Sequence, residues 1–193
     1  MKTRDVRGRR GMTGVAVVSL ALLLAMTVGG SMPSADSGST SFSYLLAPDF
    51  VCGGDPSFCP DIARAANGDT IGITGAGTLG IHPKTVAGGG TFTHKNSAGA
   101  VISTGAWTAT ALLSFNDYGT SPDFPIPGLH GGRAIIWVHL TPSTGGGGFD
   151  ATLQVVCAIN PPPGHAEEGV RLAVQGGPNF NKEVSGLTAF FEI

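Results

Sequence analysis

The stretch Gly105-Ala-Trp-Thr-Ala-Thr-Ala-Leu-Leu-Ser-Phe115 carries the clearest structural signal in the chain. Trp107, Ala109, Ala111, Leu113 and Phe115 fall on one side of an extended backbone. Thr108, Thr110 and Ser114 fall on the other, with Leu112 the one apolar exception. A period of two is the pattern of a strand with one face buried, because successive side chains of a strand point to opposite faces.

Working outward, the same alternation recurs. Downstream it predicts strands over Arg133–Thr141, Ala151–Ile159, Val170–Gln175 and Leu187–Ile193. Their inward sets are Ile136/Val138/Leu140, Leu153/Val155/Cys157/Ile159, Val170/Leu172/Val174 and Leu187/Ala189/Phe191/Ile193. Upstream, Ile71, Ile73 and Leu79 share one side of Thr70–Leu79, and Phe92 and His94 alternate with Thr91 and Thr93. Turn-forming clusters separate the runs, at Lys95–Gly99, Pro142–Gly148, Asn160–Gly164 and Gly176–Pro178. Asn179–Lys182 reads as a turn before the final strand.

The expected fold class is therefore all-β: a single antiparallel domain of about seven or eight strands, as a meander-type β-barrel or a two-sheet β-sandwich. One short helix is expected near residues 60–66, where Pro60 opens Asp-Ile-Ala-Arg-Ala-Ala and Asn67-Gly68 closes it. No strand–helix–strand alternation is present, which argues against a parallel α/β sheet.

Residues 1–30 read as a signal peptide. Lys2, Arg4, Arg7, Arg9 and Arg10 precede Val15–Val28, an uncharged run of 14 residues, and small residues come next at Gly29-Gly30-Ser31. Such a run is short for a bilayer span and suits a secretory leader. The chain is thus expected to be secreted, with no integral membrane segment after cleavage. Residues 31–48 begin Ser-rich and read as a flexible tether, leaving 49–193 as one β domain. Without residues 1–30 there remain six basic and twelve acidic residues, a net charge of −6 with no basic stripe. Nucleic acid is accordingly not an expected partner.

Cys52, Cys59 and Cys157 allow one disulfide in an oxidising compartment: Cys59 with either Cys52 or Cys157. No ligand spacing points to a metal, and none to a cofactor. Gly75-Ala-Gly-Thr-Leu-Gly80 satisfies the letters GxGxxG, but the Ile-His-Pro-Lys-Thr after it cannot open the helix a dinucleotide site requires. His165-Ala-Glu-Glu is not a HExxH zinc motif.

The candidate ligand-binding residues are His94 and His139 on strands, Asp117 between Asn116 and Tyr118, and Trp107 on the central strand. Asp150 and the group Glu167, Glu168 and Arg171 are further polar candidates, read as solvated loop and edge charges. The leading expectation is a secreted, non-enzymatic module that binds a small ligand or an extracellular surface component. One alternative is a small barrel enzyme that uses an interior pocket. The other is a structural protein that assembles through an exposed strand edge at Leu187–Ile193.

Overall fold

Ten antiparallel strands account for nearly all of the regular structure in the computed structural model, which describes residues 40–160, 164 and 167–193. The signal-peptide reading of residues 1–30, the first part of the tether and His165 lie outside the described residues. The strands are β1 (Ser41–Leu46), β2 (Asp61–Ala65), β3 (Thr70–Gly80), β4 (Thr85–Lys95) and β5 (Val101–Gly119). They continue as β6 (Leu129–Pro142), β7 (Phe149–Cys157), β8 (Gly169–Val174), β9 (Asn179–Ser185) and β10 (Thr188–Glu192).

All belong to one sheet in the order β1-β10-β6-β5-β4-β3-β2-β9-β8-β7, and two further pairings, β1–β3 and β6–β7, close it on itself. The expected all-β fold is thus present in barrel-like form. Strand β3 uses one edge twice: Thr70–Ile73 pairs with β2, and Gly75–Gly80 pairs with β1. Strand β6 does the same, pairing with β7 over Gly132–Leu140 and with β10 at Leu129–His130. Between β3 and β6 the arc therefore contains four strands at one end and two at the other.

Most of the interior is filled by side chains. Trp107, Tyr44, Phe42, Phe180 and Phe190 are its largest buried side chains, and they join aliphatic residues from the surrounding strands in one core. Inward sets on β6, β7 and β8 obey the alternation, with Ile136, Val138, Leu153, Val155, Val170 and Leu172 almost wholly enclosed. Glycines on β3 and β4 make room for two of the aromatic rings. A Cβ on Gly75 would lie 2.7 Å from the Trp107 ring, and one on Gly77 or Gly88 would lie within 2.6 Å of the Tyr44 hydroxyl. The Trp107 indole N–H donates to the Thr74 carbonyl (2.9 Å) and the Tyr44 hydroxyl to the Ala87 carbonyl (3.1 Å), so both polar tips are satisfied.

Five expectations need correction. First, residues 61–65 form β2 rather than a helix, because Asp61, Ala63 and Ala65 turn inward between β3 and β9. The short helix occurs instead at Asp49–Cys52. Second, the supposed tether contains β1, whose Phe42, Tyr44 and Leu46 are core residues. Third, Asn179–Lys182 opens β9 and inserts Phe180 into the core. Fourth, on the last strand Phe190 is fully buried while Phe191 is half-buried and Ile193 exposed. Packing of Phe190 against Phe115 (ring centroids 5.0 Å) sets that phase.

The fifth correction concerns β5. Opposite β6, this strand carries register shifts between Ala109 and Ala111 and again between Leu112 and Ser114. The extra residue of a bulge reverses the faces of the residues beyond it. Ala111 thus opposes the outward Trp137, Leu112 turns inward opposite Ile136, Leu113 is exposed, and Phe115 returns inward opposite Ala134. The apparent exception in the alternation, Leu112, is the core residue.

Cys52 and Cys59 form the disulfide, and Cys157 is a buried free thiol. Among the described residues no helix is long and apolar enough to cross a membrane.

Candidate functional site at the barrel mouth

At the four-strand end of the arc the side chains do not fill the enclosed space. A cavity of about 470 Å³ opens there, lined by residues of β3 to β9 and by the β6–β7 and β8–β9 loops. Its floor and walls are Ile71, Phe92, Leu140, Phe149, Val174 and Phe180. The rim is Thr144–Gly147 and Gly176–Pro178. A side chain at Gly145, Gly146, Gly147 or Gly176 would meet nothing within 4 Å, so these loops border the opening without crowding it. The size, the apolar walls and the few polar groups are those of a small-molecule site.

Two polar side chains enter this wall. His94 comes two residues after Phe92 on the inward face of β4 and packs edge-on against Phe180 (centroids 5.1 Å). Its Nε2 lies 3.3 Å from Asp69 Oδ2, on the turn that leads into β3. Ser103 of β5 stands directly opposite His94 in the ladder and also lines the cavity. The hydroxyl of Ser103 and the Nδ1 of His94 have no hydrogen-bond partner among the described residues.

The other candidates lie elsewhere. Trp107 is buried core. His139 points outward from β6 and pairs with Asp150, its neighbour on β7 (2.8 Å), both groups nearly half exposed. Asp117 pairs with His130 (3.0 Å), whose other ring nitrogen lies 3.4 Å from Glu192. His130 also packs against Phe42, at the end away from the mouth. The four residues are thus not brought together, and only His94 lines the cavity.

Glu168, read from the sequence as a solvated charge, is turned inward. It accepts hydrogen bonds from the backbone amides of Ala158 and Thr188 and lies 3.0 Å from the Thr188 hydroxyl. Its charge acts on Asp61, which is fully buried with no well-formed hydrogen bond to either side-chain oxygen. Burial first, and then the charge of Glu168, push the Asp61 carboxyl up to about 8, with the Ala47 backbone opposing. Burial likewise raises Glu168, against the hydrogen bonds from Thr188 and Ala158. Of the two acids, the one holding the donors is the better site for the charge, so Asp61 keeps the proton. Arg171 bonds Glu183 and lies 4.0 Å from the exposed Glu167, a surface contact of little energetic consequence.

Sequence reasoning missed Asp69, Ser103, Phe180 and Asp61. Only Asp69 had a usable signal, in the Asn67-Gly68-Asp69 turn just before the strand that pairs with His94's own. Among the described residues no group of three or more His, Cys, Asp or Glu is placed to hold a metal. Comparisons with known protein families, curated proteins and solved structures find no match to this chain.

Proposed function

We propose that this protein is an exported, non-enzymatic binding module that holds a compact, mainly apolar small molecule in the mouth of its barrel. The 470 Å³ cavity carries this reading: six apolar side chains form its walls and His94 and Ser103 supply polar contacts. The basic N-terminal segment ahead of Val15–Val28 supports export. Assembly through a free edge is less well supported, because β10 is paired with β1 along its length and with β6 at Phe190 and Phe191.

Titration with the uncharged fluorescent probe N-phenyl-1-naphthylamine tests the binding reading. The expected result is saturable one-to-one binding that is lost when Val174→Trp fills the cavity. Failure of the probe to bind, or equal binding by a folded Val174→Trp variant, would refute it.

One observation favours a second reading, in which the pocket hydrolyses a bound ester. Asp69 on the turn into β3, His94 on β4 and Ser103 on β5 succeed one another in space, in the order that activates a serine nucleophile. Ser103 makes no hydrogen bond to His94 among the described residues, which leaves binding as the leading reading. Covalent labelling of Ser103 by a fluorophosphonate would reverse that order.

A further inference from the structure

Resting on the binding reading, we infer that the ligand carries a hydroxyl group, aromatic or alicyclic, which sits between His94 and Ser103. Both side chains have hydrogen-bonding capacity that the protein leaves unmet. An Asp69 side-chain oxygen can only accept from the His94 ring, so the ring's N–H lies on Nε2, and the neutral imidazole then presents Nδ1 as a bare acceptor. Ser103, directly across the ladder at the same level, presents a hydroxyl that has no other partner among the described residues. Opposed residues on neighbouring strands hold their Cβ atoms about 5 Å apart, a span one small polar group can bridge.

The kinds of polar group a ligand can offer are then distinguishable. A carbonyl or ether accepts from Ser103 and leaves Nδ1 unmet. A ligand N–H satisfies Nδ1 and leaves the serine proton without an acceptor. A carboxylate meets Ser103 but places its charge against the Nδ1 lone pair, on a wall otherwise built from Ile71, Phe92, Leu140 and Phe180. A hydroxyl donates to Nδ1 and accepts from Ser103 at once. The remainder of the ligand meets ring faces and aliphatic carbons, which favour a flat hydrocarbon skeleton over a sugar or a peptide.

The test compares four naphthalenes by fluorescence titration of the full exported chain: 2-naphthol, 2-methoxynaphthalene, 2-naphthylamine and 2-naphthoate. The expected order places 2-naphthol first, about tenfold tighter than the methoxy compound, as one well-made hydrogen bond provides. That preference should vanish in His94→Phe and fall about two- to fivefold in the milder Ser103→Ala, with both variants checked for an unchanged thermal transition. Tighter binding of naphthoate or the amine, or a hydroxyl preference that survives in both variants, overturns the assignment while leaving the pocket intact as a binding site. If none of the four binds, the pocket reading itself fails and the assignment with it.

Discussion

Asp61 should make this protein lose stability as pH rises, over a range in which most proteins are insensitive. The side chain is fully enclosed, its oxygens have no well-formed hydrogen bond, and the Gly186 backbone is packed so closely on it that a Cβ there would lie 1.9 Å from Oδ1. Burial, and then the charge of Glu168, push its carboxyl in the folded chain up to about 8 from an ordinary 3.8. The folded state therefore binds the proton more tightly, and the stability this group contributes is fully present below about pH 4. It declines between about pH 4 and pH 8 and levels off above. At about 1.36 kcal/mol for each tenfold change in proton affinity, the full effect is on the order of 5 kcal/mol, comparable to the whole stability of a modest domain. Glu168, raised above its usual 4.5, contributes in the same direction, and Cys157, pushed up to about 12, does so only at alkaline pH. The effect of Asp61 is isolated by subtraction. Urea denaturation of wild type and Asp61→Asn from pH 4 to pH 9 should give curves that diverge, the wild type losing up to about 1.4 kcal/mol per pH unit more than the variant. Parallel pH profiles for the two proteins would refute the assignment of the proton to Asp61.

The packing sets three further outcomes. Leu112→Ala should cost about 2–5 kcal/mol and Leu113→Ala under about 0.5 kcal/mol by denaturant unfolding, since the bulges bury the first and expose the second; equal costs would mean the register is wrong. Gly90→Ala, whose Cβ would fall 1.9 Å from the Thr74 carbonyl, should destabilise by at least about 1–3 kcal/mol, while Gly147→Ala, with nothing within 4 Å, should leave the melting temperature within a degree or two. Thiol alkylation read by intact mass should count zero reactive cysteines in the native protein, one after denaturation and three after denaturation with reductant, because Cys157 is buried and Cys52 is joined to Cys59.

Alternation found the strands that carry several bulky inward residues. On β6, β7 and β8 it also found the correct face, since Val, Ile and Leu dominate those positions. It failed where the inward residues are small or polar: β2 presents Asp61, Ala63 and Ala65, and β9 has a single large inward residue, Phe180. In β1 the signal was present at Phe42, Tyr44 and Leu46 but was masked by the serines around it. The bulges of β5 were also visible, as an apolar residue out of phase, yet one such residue does not say whether the pattern or the residue is the exception. His94 was recognisable from its alternation with Phe92. Its partners Asp69 and Ser103, and the loops that form the rim, come together only through the order of the strands, which no local pattern encodes.

That order also explains why the barrel is open at one end and filled at the other. Between β3 and β6 the arc contains β2, β9, β8 and β7 at the mouth but only β1 and β10 at the opposite end. At about 4.8 Å per strand, the two additional strands lengthen the arc by roughly 10 Å. The shorter arc draws Phe42, Phe115 and Phe190 into contact, with centroids 4.8 and 5.0 Å apart, and the space between them closes. The longer arc separates Ile71, Leu140 and Val174 beyond what their side chains can fill, and Phe180 and His94 line the gap without closing it. Where the two arcs meet, strands change partners and leave a seam, and the buried Asp61 and Glu168 lie along it with Thr188 and Cys157. The cavity and the buried acids thus share one cause, a strand count that differs between the two ends. A variant that alters stability through Asp61 therefore acts on the seam, whereas one at His94 or Ser103 acts on the mouth, and the two should combine additively because the sites share no partner.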